Sequence, residues 1–219
     1  MVAPFDIDDD VPDEDEIASA VRRLRNGKSP GPSKIRAEKL KEWLDEAKGE
    51  VPDRANWDLL VDLVQTCFKE QSLPSQMVWS TVVLLPKGGG GFRGIGLLEI
   101  IWKLIESIIN RRIMQKVKFH DCLHGFVPKR GTGTGCIEAK LAQQLHRIVH
   151  KTLFTVFVDL KKAFGTVQWE RLLDILEGYG VGPRLRGLLR FYWKNQQCVA
   201  RQSNYHWKAF RLTSVGQTN

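Results

Sequence analysis

Asp159 is the residue in this sequence best placed to do chemistry. It stands at the end of the run Leu153 to Leu160 (LFTVFVDL), which holds no other ionisable side chain. A bare carboxylate beside that much apolar surface is costly to desolvate and needs a compensating partner, for which a metal ion is one choice. The competing reading is an aspartate that caps the turn after a strand and stays in water. Lys161 and Lys162 follow directly, then Ala163 and Phe164. A second constellation is Lys87-Gly-Gly-Gly-Gly-Phe-Arg93, with two cations flanking a glycine tip. Backbone N–H groups of such a loop can approach phosphate while Lys and Arg supply charge. A plain surface turn is the alternative.

Other groupings carry less. Gly131-Thr-Gly-Thr-Gly135 departs from the dinucleotide pattern because Cys136 occupies the third glycine position. His120-x-Cys122-x-His124 holds candidate metal ligands without a second pair at zinc spacing. His146 and His150 lie four apart, but Arg147 stands where a zinc protease needs glutamate. No Gly-x-Ser-x-Gly elbow occurs, so no hydrolase nucleophile is visible.

The elements that must position these residues can be read from periodicity. Residues 1–12 form a loose acidic lead-in. Asp13 and Glu16 have capping-box spacing ahead of an apolar stripe of Ile17, Val21 and Leu24, and Gly27 ends that helix. Lys28-Ser-Pro-Gly-Pro32 is a turn. Helices are predicted over about 33–48 and 55–70 from apolar residues at helical spacing. Val78 to Leu85 reads as a strand, Phe92 to Ile95 as its return, and Leu98 to Ile109 as a long amphipathic helix. Cys136 to His150 is a helix with Ile137, Leu141, Leu145 and Ile148 facing inward. Leu153 to Leu160 is apolar on both faces and predicts a central strand. Helices near 169–177 and 183–195 and a hairpin of 197–202 with 207–212 complete an α+β order.

Composition and charge narrow the class of partner. The 219 residues are 42% hydrophobic and 26% charged, which describes a globular chain. The longest uncharged stretch, Gln71 to Pro86, has 16 residues and is too short and too Pro-interrupted for a membrane span. The acidic N-terminus lacks the apolar core of a secretory signal, and an intracellular chain is expected, with nuclear residence open. Cys67, Cys122, Cys136 and Cys198 lie far apart and read as buried thiols in a reducing compartment. Residues 1–20 hold eight acids and no base, leaving 33 bases against 17 acids in the other 199 residues. A body that basic points to a polyanion such as nucleic acid.

Several segments are similar to the blocks of one family, in that family's order. Asn26-Gly-Lys-Ser-Pro-Gly-Pro-Ser33 is similar to a lead-in motif that usually continues Asp-Gly, where Ser33-Lys34 stand here. Trp79 to Lys87 with Phe92-Arg-Gly-Ile-Gly-Leu-Leu98 resembles a fingers hairpin, and Lys103 and Arg112 continue that pattern. His124-Gly-Phe126 with Arg130-Gly-Thr-Gly-Thr134 resembles the next block, and Phe157-Val-Asp-Leu-Lys-Lys-Ala-Phe164 resembles palm motif A. Ser214-Val-Gly-Gln217-Thr-Asn219 loosely resembles motif B. Over about residues 20–219 the chain therefore resembles a reverse transcriptase of the non-LTR retrotransposon type.

The resemblance implies an RNA-directed DNA polymerase that transfers a nucleotidyl group from a dNTP to a primer 3′-OH with two divalent cations, Mg²⁺ or Mn²⁺. Asp159 would be the first metal carboxylate and catalytic residue. Lys87, Arg93, Phe164 and Gln217 would contact the nucleotide, with the Phe164 ring screening against a ribose 2′-hydroxyl. Lys129, Arg130, Lys161 and Lys162 would contact the RNA template and DNA primer. The implied fold is a right-hand polymerase of α+β class with fingers and an incomplete palm but no thumb. Its expected divisions are the acidic lead-in 1–12, a fingers-like helical region with the glycine-tipped hairpin over 13–150, and a partial palm over 151–219 with a helical fingers insertion. Gly165 stands where relatives usually carry Asp, and no Tyr-x-Asp-Asp tetrad occurs in the 219 residues. The expectation is a piece truncated after motif B and inactive by itself. A non-catalytic nucleic-acid-binding module and a retrotransposon relic are the alternatives, and the oligomeric state is not legible.

Overall fold

In a computed structural model of the chain, helix α1 (Glu14–Arg23) starts where the Asp13 carboxylate accepts the Glu16 backbone N–H at 2.7 Å. Three acids in its first turn and Arg22 and Arg23 in its last complement the helix dipole. The structure describes residues 5–86, 88, 91–161, 163–202 and 205–211, without the side chains of 164, 165 and 201 onward. Helix α2 (Ala37–Lys48) begins four residues later than its periodicity predicts. The Glu99 carboxylate occupies both donors of Ser33, and Lys34 takes a left-handed φ of 63°, so neither can enter a helix. Helix α3 (Ala55–Glu70) has the predicted bounds.

A 3-10 turn at Ser75–Val78 leads into β1 (Trp79–Pro86), which pairs antiparallel with β2 (Phe92–Leu98). Helix α4 (Ile100–Lys116) follows. Further along lie α5 (Thr132–Ile148), a 3-10 turn at Ala163–Thr166, α6 (Trp169–Gly178) and α7 (Pro183–Asn195), which carries proline in its first turn. Strands β3 (Gln197–Gln202) and β4 (Tyr205–Arg211) form the expected hairpin. The sheet order is β2-β1-β3-β4, with β1 and β3 parallel across the long crossover between them.

The chain divides into two compact units, one of Met1–Lys116 with Ala163–Asn219 and the other of Val117–Lys162. The core of the first is helical. Ile17, Leu40, Leu44, Trp57, Phe68, Leu104, Ile105, Ile108, Leu185 and Leu188 are fully buried. Trp102 of α4 stacks on Tyr192 of α7, with ring centroids 3.8 Å apart and planes 12° from parallel.

The acidic lead-in is packed rather than loose over its described residues. Arg112 of α4 is 4% exposed, yet it is a cation. Its guanidinium meets the Glu16 carboxylate at 2.9 and 2.5 Å and donates to the carbonyls of Asp8 and Asp10 at 3.2 and 2.6 Å. It also lies 5.8 Å from the Phe68 ring centre. On the far side the Asp9 carboxylate accepts the Arg184 and Leu185 N–H groups at 2.9 and 2.8 Å, capping α7 from a distant segment. The Phe5 N–H donates to the Tyr179 carbonyl, and the two rings stack. Gly180, at a φ of 90°, makes room there, because a Cβ on it would lie 2.0 Å from the Phe5 carbonyl oxygen.

In the second unit α5 starts at Thr132 rather than Cys136 and buries no residue. Ile137, Leu141, Leu145 and Ile148, expected to face inward, are 53–72% exposed. Residues 151–160 form no strand, and Phe154, Val156, Phe157 and Val158 are more than 80% exposed. A strand exists only where a neighbour takes its N–H and C=O groups, and no ladder of β1–β4 includes this segment. Two of the four cysteines, Cys122 and Cys136, are exposed, against expectation. Cys67 is buried as expected, and burial pushes its thiol up to about 11.

Arg112→Met removes the buried charge and strands the Glu16 carboxylate with two carbonyls. Urea denaturation should show a loss of about 3 kcal/mol, and an unchanged midpoint would refute the role given to this residue. Glu14 is held below the ordinary carboxylate value of 4.5, first by the Trp57 indole N–H at 2.8 Å and then by Arg54. A depressed carboxylate stabilises the fold above its unfolded pKa, and that contribution is lost as pH falls through the folded value. Glu14→Gln should therefore lower the urea midpoint at pH 7, with the gap from the parent chain closing as pH drops below 4.5.

Candidate nucleotide and nucleic-acid interface

The β1–β2 hairpin carries the first pair of expected contacts. Its register sets Pro86 opposite Phe92 and Leu85 opposite Arg93. Antiparallel pairing thus brings the two ends of the glycine run together, and Gly91 turns the chain at a φ of 90°. Arg93 is exposed and makes no ion pair among the described residues. Lys87 lies outside the described residues, as do Lys162 and Gln217.

Asp159 is exposed in the irregular segment 151–160, not at the end of a central strand. Lys161 beside it is exposed. Phe164 falls in the 3-10 turn Ala163–Thr166, and its side chain is among those not described. Arg93 belongs to one unit, and Asp159, Lys161, Lys129 and Arg130 to the other. Reverse transcriptases use divalent metals, and a two-metal centre needs several carboxylates converging on the ions. Among the described residues no group of three or more His, Cys, Asp or Glu side chains is arranged to hold a metal ion. The residues present do not fit that centre, and no metal-dependent step is assigned to them.

The block around His124 is held by local contacts. The His124 ring bonds the Glu138 carboxylate at 2.5 Å and the Thr134 hydroxyl at 2.9 Å. Thr134 in turn accepts the Gly131 N–H and donates to the Gly131 carbonyl, opening α5. The Glu138 carboxyl is held low, first by His124, and the Cys122 thiol is pushed up, first by the Glu138 charge. Arg130 spends its donors inside this unit, on the carbonyls of His120, Asp121 and Leu123 at 2.8–3.2 Å and on the Asp121 carboxylate at 3.0 Å. Lys129 is exposed, at a left-handed φ of 63°.

The turn Lys28–Ser33 is pinned to the end of β2 and the start of α4. Glu99, 5% exposed, accepts the Ser33 N–H at 2.6 Å and its hydroxyl at 2.5 Å. A Cβ on Gly31 would lie 2.6 Å from the Leu98 carbonyl oxygen, so only glycine allows the close approach. The contact fits a departure in the motif: Asp at position 33 would set two carboxylates against each other, whereas the Ser33 hydroxyl donates to Glu99. Glu99 was not legible as a site residue, and Ser33 in place of Asp was the signal that could have exposed it.

Residues 85–217 match the family model described as reverse transcriptase (RNA-dependent DNA polymerase). That is more than half of the chain, and the chain belongs to the reverse transcriptase family, with its polymerase fold built here as mixed α/β with a small sheet. Within the family it is of the non-LTR retrotransposon type. It is 27% identical over 219 aligned positions to a 115 kDa protein of the type-1 retrotransposable element R1DM of Drosophila melanogaster, covering 92% of this chain and 20% of that protein. It is 24% identical over 198 positions to an uncharacterized 149 kDa protein of transposon TX1 of Xenopus laevis, covering 85% and 14%. The chain thus spans about a fifth or less of the curated relatives it matches. Among the described residues no helix is long and apolar enough to cross a membrane.

Glu99→Ala removes the acceptor of both Ser33 donors. Hydrogen exchange at the Ser33 amide should speed up at least about tenfold, as for a part-buried charge-assisted bond worth over 1 kcal/mol, and an unchanged rate would show that the turn is held otherwise.

Proposed function

We propose that this chain supplies the fingers and the first part of the palm of an RNA-directed DNA polymerase, and that these 219 residues by themselves do not catalyse nucleotidyl transfer. One observation supports the reading above others. The matched stretch 85–217 holds Lys87 and Arg93 around a hairpin tip and then Asp159 five residues before Phe164, in the order the family uses. In this reading Lys87 and Arg93 take the triphosphate of a dNTP, Phe164 excludes a ribose 2′-hydroxyl by bulk, and Gln217 lies against the nucleotide. Asp159 is the first metal carboxylate of the complete enzyme. Lys129, Arg130, Lys161 and Lys162 follow a template–primer duplex. Residues 13–150 are the fingers region and 151–219 the partial palm. Inactivity follows from the donor set, since one exposed carboxylate cannot hold two ions.

A second reading, a basic nucleic-acid-binding module without catalysis, is favoured by the excess of 33 bases over 17 acids after residue 20. The two readings share the electrostatic part and differ in whether the nucleotide is recognised.

The test uses the chain with primer, RNA template, dNTPs and Mg²⁺ or Mn²⁺. No extension is expected, and processive extension overturns the claim of inactivity. Binding to an RNA–DNA hybrid should weaken at least about tenfold between 50 and 200 mM salt, because released counterions set the slope. Lys87→Ala with Arg93→Ala should weaken dNTP binding roughly tenfold through lost charge-assisted bonds. Unchanged dNTP affinity in that double variant discredits the hairpin assignment and leaves the binding-module reading standing.

A further inference from the structure

Four cations surround one concavity of about 430 Å³ in the first unit. Arg25 follows α1, Lys28 begins the turn pinned by Glu99, Arg36 precedes α2 and Lys103 lies on α4. No acid is among the described residues that line the concavity. Among the described residues none of the four side chains makes a hydrogen bond or an ion pair within 4.0 Å, although other exposed bases of the chain do, such as Arg54 with Glu14 and Lys39 with Glu42. The floor is apolar, with Leu97 and Ile100 among its residues. Lys103 is half-buried, and burial holds its ammonium below the ordinary lysine range, while Glu99 and Glu106 oppose that shift from a distance.

Solubility does not account for this arrangement. Charges that serve solubility spread over convex surface, where water screens them. Here four like charges converge from four segments on one hollow, and one of them, Lys103, is partly desolvated with no ion pair within 4.0 Å among the described residues. A sphere of that volume has a radius of about 5 Å, within the Debye length of about 8 Å at physiological salt. All four cations therefore act on a group held inside, and an anion entering relieves the mutual repulsion that Glu99, Glu106 and Glu38 offset only in part. Arg36 and Ala37, at the start of α2, line the hollow, and Arg36 gives that helix no side-chain cap.

We propose that this hollow is a binding site for a compact phosphate-bearing group, a terminal phosphate or a polyphosphate. A group approached from several sides presents three outward oxygens when terminal but only two when it is an internal diester. None of the residues assigned above to the nucleotide or the duplex lines the hollow, so the inference does not rest on the polymerase reading. Two sources share the chemistry, a nucleoside triphosphate and the 5′-phosphorylated end of a strand.

Calorimetric titration of the full chain with inorganic tripolyphosphate is the test. Binding is expected, and the combined variant Arg25→Ala, Lys28→Ala, Arg36→Ala and Lys103→Ala should weaken it at least tenfold. Lys69→Ala, an exposed cation on α3, should leave it unchanged. Because the four cations repel one another, the combined variant should melt no earlier than the parent chain, and circular dichroism checks this. The same variant should keep the Arg93-dependent dNTP affinity, which separates failure here from failure of the hairpin assignment. Displacement of tripolyphosphate by a dNTP or by a 5′-phosphorylated oligonucleotide identifies the source. Absent binding, unchanged affinity in the combined variant, or equal displacement by a 5′-hydroxyl oligonucleotide overturns the proposal.

Discussion

A buried guanidinium holds the first unit together. Arg112 stands inside a helical core where a lone charge would be prohibitive, and five partners make it tolerable: the Glu16 and Asp8 carboxylates, two backbone carbonyls of the acidic segment and the face of Phe68. The same contacts fix the path of residues 8–10, which sets Asp9 at the start of α7. Helix α7 then delivers Tyr192 to Trp102 and feeds directly into β3, the parallel neighbour of β1. A short acidic segment thereby joins α1 and α4 to the last two helices, and the hairpin that carries Arg93 inherits its position from that framework.

The charge distribution follows from this architecture. The described acids near the N-terminus are largely consumed by internal contacts: Asp9 and Asp13 on helix ends, Glu14 on Trp57 and Arg54, Glu16 on Arg112. Neutralised locally, they leave the field of the remaining basic body largely uncancelled. Within that body some cations are structural, as Arg130 is in clamping the 120–123 turn, and others line a concavity without a hydrogen bond or ion pair among the described residues. Position in the fold separates these classes, because Arg130 and Lys103 look alike in a count of bases.

The second unit shows how far a local pattern can outrun its surroundings. Leu153 to Val158 has the composition of a central strand, and α5 has the stripe of a buried helix. Both patterns report a capacity for burial, and burial also requires something to lie against. The described residues provide no such layer: the α5 stripe and most of the apolar run are exposed. The hydrophobic effect rewards area removed from water, so an apolar face without a partner contributes nothing to stability.

The sequence by itself determined the elements governed by short-range physics. The cap at Asp13, the bounds of α3 and α7, the β1–β2 hairpin and the β3–β4 hairpin all depend on neighbours a few residues apart, and the ordered motifs placed the chain in its family. Only the tertiary structure decided the partners across long separations. It placed Glu99 on Ser33, Arg112 on Glu16, Asp9 on α7 and Lys103 among three other cations. It also left 151–160 without a ladder. Hydrogen bonds and ion pairs are short-ranged and directional, so residues far apart in the chain acquire them only once the backbone has brought them together.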